Sequence, residues 1–223
     1  MDILEPLPPE ELERLVLLSS SMRLEAGEAL ALEEDRETLL LLASGRVRVH
    51  EPSTSGGGLD LTFSMIEEGT FVAQSGFALR LSRILRVEAL QPSTMLVLRW
   101  EDFEELVLRN PEVGLKTIRL LSERLAACEG RFSDLIRKEV PARLAGLILS
   151  LSERQGVLMG DGGRMIPTRY THQQLASMVG SNREAITRAL GRLRKAGAVE
   201  VRSRNIYVTD ADALERFAEA KAL

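Results

Sequence analysis

The chain has 223 residues, 44% of them hydrophobic and 28% charged, with a formal net charge of −4. That length holds one large domain or two modest ones, and no run of about 18 apolar residues offers a membrane span. A single cysteine and two histidines exclude an intrachain disulfide framework and any iron–sulfur or zinc site built on several thiolates. The opening MDILEPLPPEELERL carries acids and prolines where a secretory signal is basic and then apolar, so the expected location is the cytoplasm. Pro8 to Leu18 reads as a short helix that starts at a proline, a favoured first position. From about Met22 to Leu98, short apolar runs alternate with glycine and acidic turns, as in MRLEAGEAL, TLLLLASGRVRVHE and TMLVLRW. Leu40, Leu42, Val47 and Val49 fit strand alternation, which predicts a small all-β barrel or sandwich. Pro52 to Gly58 reads as a polar hairpin tip. His50, alone among strand residues, reads as a surface or core histidine rather than a ligand.

Glu101 to Arg109 reads as a short helix broken before Pro111, and Pro111 to Lys138 as a long one. Within it Ile118, Leu121, Leu125, Cys128, Phe132 and Leu135 are spaced 3, 4, 3, 4 and 3 apart. This is the period of a heptad seam between two copies of the helix. A helix packed on its own domain is the plainer alternative, since any amphipathic helix has an apolar stripe. Cys128 serves in either case as a small apolar residue. After a break near Val140–Pro141, Ala142 to Glu153 forms another helix, and Gly160 to Gly163 a turn.

The most informative stretch is THQQLASMVGSNREAITRALGRLRKAGAVEV, Thr171 to Val201. Thr171 followed by Gln174 fits a capping box, and Gly180 can take the positive φ that ends a helix. Ser181 or Asn182 restarts one, with Ile186, Leu190 and Leu193 on its apolar face. Asn182, Arg183, Glu184, Thr187 and Arg188 then lie together on the opposite side. A helix-turn-helix reads the major groove with this part of its second helix. AVEVRSRNIYV adds a hairpin that turns at Ser203–Arg204. Between Met165 and Asn205 there are eight basic residues and two acids. Residues 139–223 hold 13 basic and 9 acidic residues, net +4, against net −8 for the remainder. Positive charge is concentrated where a phosphate backbone would lie. No nucleophile–base pair, Walker loop or metal cluster can be assembled, so an enzyme is not expected.

The order of a β-rich half, a long helix and a winged helix-turn-helix resembles the CRP/FNR family of bacterial transcription regulators over almost the whole chain. EAGEAL…LASGRVRVHE, EEGTFVAQSGFAL and THQQLASMVGSNREAITRALGRLRKAGAVE carry the likeness. The fold implied is α+β: a β-roll of the cyclic-nucleotide-binding, jelly-roll type at 1–110, a dimerisation helix at 111–138 and a winged helix-turn-helix at 139–223. The resemblance implies a homodimer on double-stranded DNA, at a palindromic operator with half-sites similar to TGTGA, and recruitment of RNA polymerase as an activator. Arg183 would donate to the O6 and N7 of a guanine, Glu184 would accept from a cytosine amine, and Arg188 would reach a second guanine or its neighbour. Thr171, His172, Gln173, Asn182, Thr187, Arg202 and Arg204 would contact the DNA backbone.

The effector chemistry departs from the family pattern. By alignment with members that bind cyclic AMP, the ribose glutamate falls on Gln74. The phosphate arginine falls on Arg83, but its serine partner is Ile84, and a further arginine is Glu88. Cys128 and Glu129 replace the polar pair that receives the adenine. A cyclic phosphate beside lost donors and a bulky apolar side chain would be poorly held. The expectation is a regulator independent of cyclic AMP, with no metal and no cofactor, governed by its own abundance or by another small molecule in the roll. The alternative within the family is a cyclic-nucleotide-responsive regulator with a variant pocket. A haem version would have only His50 to offer as a ligand. From a different class, the chain would be a ligand-sensing module whose winged domain binds protein.

Overall fold

In the computed structural model, residues 2–32, 38–53, 60–74, 85–160 and 162–220 are described, with side chains left out at 73 and 74. Helix α1 (Pro9–Leu18) begins where Pro8 sets an extended entry, with Pro9 in the first turn. Among the described residues eight strands follow: β1 (Ser20–Leu24), β2 (Ala29–Ala31), β3 (Thr38–Ser44), β4 (Arg46–Glu51), β5 (Leu61–Glu67), β6 (Thr70–Gln74), β7 (Arg86–Ala89) and β8 (Ser93–Arg99). They form two four-stranded sheets, ordered β1-β8-β3-β6 and β2-β7-β4-β5. Helices α2 (Trp100–Arg109) and α3 (Pro111–Arg137) complete the first part of the chain.

The run TLLLLAS explains why these sheets stack. Side chains alternate along a strand, so four consecutive buried leucines require both faces to be covered. Leu40 and Leu42 point between the sheets, where they meet Val47, Val49, Val87 and Met95. Leu39 and Leu41 point the other way and pack with Leu15, Phe71, Leu98, Phe103, Leu106 and Val113, under the three helices. Full burial of each leucine contributes about 1.5–3 kcal/mol. The alternation read from Leu40 and Leu42 therefore holds for one face, and the second face is core as well.

Strand β4 also buries both faces, with polar residues on one. Arg48 lies opposite Glu88 on β7. Its Nε and Nη2 donate to Glu88 Oε2 at 3.1 and 2.5 Å, and its Nη1 to Thr62 Oγ1 at 3.2 Å. His50 Nε2 lies 3.5 Å from the same carboxylate oxygen. Of the two sequence readings for His50, the core one is correct.

The chain divides into two compact units, residues 1–52 with 62–127 and residues 53–61 with 128–223. Helix α3 crosses from one to the other. The second unit contains α4 (Val140–Gln155), β9 (Val157–Leu158), β10 (Arg164–Ile166), α5 (His172–Val179), α6 (Arg183–Lys195), β11 (Val199–Arg202), β12 (Asn205–Val208) and α7 (Ala211–Glu219). Its sheet runs β11-β12-β10-β9. The break between α3 and α4 falls at Lys138–Glu139, two residues earlier than expected, because Pro141 sits in the first turn of α4, where its missing N–H costs nothing. Of the expected turn Gly160 to Gly163, Gly160, Gly162 and Gly163 lie between the paired strands β9 and β10, Gly162 adopts φ +84°, and Asp161 lies outside the described residues. No helix among the described residues is long and apolar enough to cross a membrane.

Candidate nucleic-acid interface

Local chemistry sets the geometry of α5 and α6. The Gln174 N–H donates to Thr171 Oγ1 at 3.1 Å, and the Thr171 N–H donates to Gln174 Oε1 at 2.9 Å, a complete capping box. Helix α5 ends at Gly180, with φ +64°. A side chain there would be strained by that backbone, and its Cβ would also lie 2.8 Å from Leu135 Cδ2. Asn182, rather than Ser181, caps α6: its Oδ1 accepts from the Ala185 N–H at 2.8 Å. Ile186, Ala189, Leu190 and Leu193 are buried behind α6, against a core that includes Leu144, Ile148, Ile166 and Leu175.

With that face committed, Arg183, Glu184, Thr187 and Arg188 are all exposed on the opposite side. Thr187 Oγ1 donates back to the Arg183 carbonyl at 3.0 Å, and His172 Nδ1 lies 2.9 Å from the same hydroxyl. With the hydroxyl hydrogen committed to the Arg183 carbonyl, the Nδ1–H tautomer of His172 fits this contact and leaves Nε2 as an acceptor. His172 and Thr187, expected as separate backbone contacts, are thus joined across α5 and α6. Gln173 is half-buried beside them, and Thr171 is exposed with its hydroxyl used by the cap. Asn182 keeps its amide nitrogen for a further partner once its oxygen has capped the helix.

The hairpin β11–β12 turns through Ser203 (φ 50°) and Arg204 (φ 70°). Two left-handed residues in a two-residue loop match the strand twist, but usually they are Asn-Gly or Asp-Gly. Asn205 anchors the turn from below, its buried Nδ2 donating to the carbonyls of Ile166 and Pro167, each at 3.0 Å. Arg204 is exposed at the tip. Arg202 is already engaged: its Nε donates to Glu200 Oε2 at 2.5 Å, and its guanidinium lies 5.2 Å from the Tyr207 ring centroid. This is a cation–π contact. The sequence reading missed it because Tyr207 joins the face shared by Glu200 and Arg202 only once the hairpin register is known.

The remaining expected positions divide into two groups. Ile118, Leu121, Leu125, Phe132 and Leu135 are exposed, with Phe132 68% and Ile118 62% accessible. Cys128 is exposed on the same helix. Leu115 and Ile136, absent from the heptad reading, are exposed there too. For the effector pocket, Arg83, Ile84 and the Gln74 side chain lie outside the described residues. Glu129 is exposed, and Cys128 Sγ lies 3.3 Å from Arg131 Nη2. One residue went unnoticed in the sequence. Arg124 on α3 is half-buried, with Nη2 donating to the Phe71 carbonyl at 2.7 Å. Burial holds its pKa below the usual arginine value.

Two family models match the chain, a cyclic nucleotide-binding domain over residues 21–110 and a Crp-like helix-turn-helix domain over residues 142–217. The chain is 28% identical over 213 residues to the cyclic AMP receptor protein of Thermus thermophilus, covering 95% of this chain and 94% of that protein. It is 29% identical over 106 residues to a CRP-like cAMP-activated global transcriptional regulator of Mycobacterium tuberculosis. That match spans 48% of this chain and about half (47%) of the mycobacterial protein. Among solved structures, a CooA mutant from Carboxydothermus hydrogenoformans shares the fold with a TM-score of 0.81 at 21% identity, over 98% of this chain and 96% of that one.

Proposed function

The chain belongs to the CRP/FNR family of DNA-binding transcription regulators, and we propose that it acts as a homodimer reading an inverted-repeat operator with half-sites similar to TGTGA. The observation that carries this reading is the division of α6. One face is locked into the core, and the other offers Arg183, Glu184 and Arg188 to solvent near the helix N-terminus. Two arginines and a glutamate in that place supply bidentate donors for guanine and an acceptor for the cytosine amine. His172, Gln173, Asn182, Thr187 and the wing residue Arg204 border phosphates and set the register. Arg202 contributes to the backbone field while it rests on Glu200.

The exposed apolar stripe of α3 supports pairing. A helix in water gains nothing from presenting Ile118, Leu121, Leu125 and Phe132, and a second copy would bury them at heptad spacing. The pair would set two α6 helices about 34 Å apart, one DNA turn, on one face of the duplex. Regulation is independent of cyclic AMP on this reading, because Cys128 and Glu129 stand in place of the adenine-receiving pair. The bound dimer would recruit RNA polymerase. The test is operator affinity of the purified chain across a salt series, with and without cyclic AMP. Tight, sequence-selective binding without nucleotide and a steep negative slope of log affinity against log salt are expected. Indifference to operator sequence would overturn base reading, and a large stimulation by cyclic AMP would overturn independence.

A further inference from the structure

A second basic feature of the second unit shares one residue with base reading, Arg188, and is otherwise separate from it. Helix α6 presents Ala185, Arg188, Ala189 and Arg192 along one strip, spaced for a single helix face. Across from it stand Lys138, Glu139, Val140, Pro141 and Arg143, from the junction of α3 and α4. Together they line a cleft of about 470 Å³. The two alanines make a small floor that leaves this space open. Four cationic side chains meet two carboxylates there: Glu139 lies 3.6 Å from Arg192 Nη1, and Asp134 Oδ1 lies 3.0 Å from Lys138 Nζ, which leaves the cleft with a positive excess.

Arg143 adds a second, independent observation. Its Nε is buried and has no hydrogen-bond partner among the described residues. Burial depresses its pKa, and the charge of Asp134 opposes the shift without cancelling it. A guanidinium N–H cut off from water without a partner is costly, and an anion seated in the cleft would offset that cost. Arginine-rich walls favour phosphate over carboxylate, since a guanidinium fork matches phosphate oxygens in pairs. The volume lies within the range of about 300–1,000 Å³ typical of small-molecule sites.

We propose that the cleft between α6 and the α3–α4 junction binds a phosphate-bearing anion of nucleotide size, and that its occupancy competes with DNA for Arg188. The competition rests on the DNA-reading role of α6; the binding does not. The ligand closes the cleft electrostatically through Lys138, Arg143 and Arg192, and in doing so draws Arg188 away from a base edge.

The test uses the full chain at constant ionic strength, with inorganic pyrophosphate and adenosine diphosphate as probes and adenosine as the uncharged control. Calorimetric binding of both anions and none of adenosine is expected. Lys138→Gln, Arg143→Gln and Arg192→Gln should each weaken it about tenfold, the scale of one charge-assisted hydrogen bond. Should Arg143→Gln fail to fold, the Lys138 and Arg192 variants, outside the core, decide the matter. Pyrophosphate at about ten times its dissociation constant should raise the apparent Kd for operator DNA about tenfold. No pyrophosphate binding, or binding undiminished in all three variants, overturns the site. Variants that lose DNA affinity with a shallower salt slope while wild type ignores pyrophosphate assign the cleft to the operator backbone, which also overturns it. Anion binding with unchanged DNA affinity overturns the competition. A chain that never binds DNA refutes the operator reading instead, and calorimetry still decides the cleft.

Discussion

Replacing Gly180 by alanine tests the turn on which the helix-turn-helix depends. The residue sits at φ +64°, where an L side chain costs roughly 1–2 kcal/mol. Alanine also restricts the unfolded chain, which returns about 0.4–1 kcal/mol. The steric contribution is smaller than the 2.8 Å approach suggests, because the atom met is a terminal methyl of Leu135, which is 45% exposed and free to turn aside. The net expectation is a loss of about 1 kcal/mol, measured as a shift of the urea midpoint with unchanged slope. Gly180→Asn should lose less, since asparagine tolerates the left-handed region. Repeating Gly180→Ala in a Leu135→Ala background separates the two causes: if backbone strain dominates, the loss is the same in both. A neutral or stabilising Gly180→Ala would refute the strain reasoning. A loss that vanishes in the Leu135→Ala background would show that the collision governs.

Arg183→Ala should cost about 1–3 kcal/mol of operator binding and relax the preference for guanine at one position; mutant and wild type equally indifferent to sequence in a competition binding assay would exclude direct reading. Arg204→Gly removes one left-handed side chain from the wing turn and should stabilise the fold by about 0.5–1 kcal/mol, strain relief of roughly 1–2 less the entropic cost of glycine. The same variant should lower the salt slope of DNA binding by about one; an unchanged melting temperature and slope would contradict both expectations. Acid stability carries a further signature. The Arg99 guanidinium beside Asp102, and the Lys116 ammonium beside Glu5, hold those carboxyls below the usual carboxylate range. Depressed folded-state values mean stability that is present above the ordinary carboxylate pKa of about 4 and lost as pH falls through the folded values. Asp102→Asn should therefore trail wild type at neutral pH, with the gap closing on acidification. A gap independent of pH in denaturant titrations would remove the charge from the explanation.

Much of the interface was legible because its signals are local. A threonine and a glutamine three residues apart, a glycine at a helix end and an apolar period of 3.6 each act within one turn of chain. The β-roll was legible as a class, but not in its two-sided use of Leu39 to Leu42, since a continuous apolar run does not say what covers each face. Strands β9 and β10, two and three residues long, are too short to leave a periodic trace. Arg48 and Glu88 are 40 residues apart, and the contact of Arg202 with Tyr207 depends on hairpin register. The cleft escaped notice for a similar reason: Arg143 and Arg192 belong to separate helices, and no pattern in either announces the other. Asn182 was ambiguous with Ser181 because both residue types cap helices, and only the hydrogen bond to Ala185 distinguishes them.

The most direct measurement compares operator affinity for an inverted repeat with that for the same half-sites separated by about 5 additional base pairs, half a turn of DNA. Two α6 helices held by a paired α3 should lose most of their affinity when one half-site rotates to the far side, and should recover it when the insertion is extended to about 10 base pairs only if the pairing can stretch by a turn. Equal affinity for the original and the half-turn operator would show that each chain binds alone, and would contradict the dimeric reading.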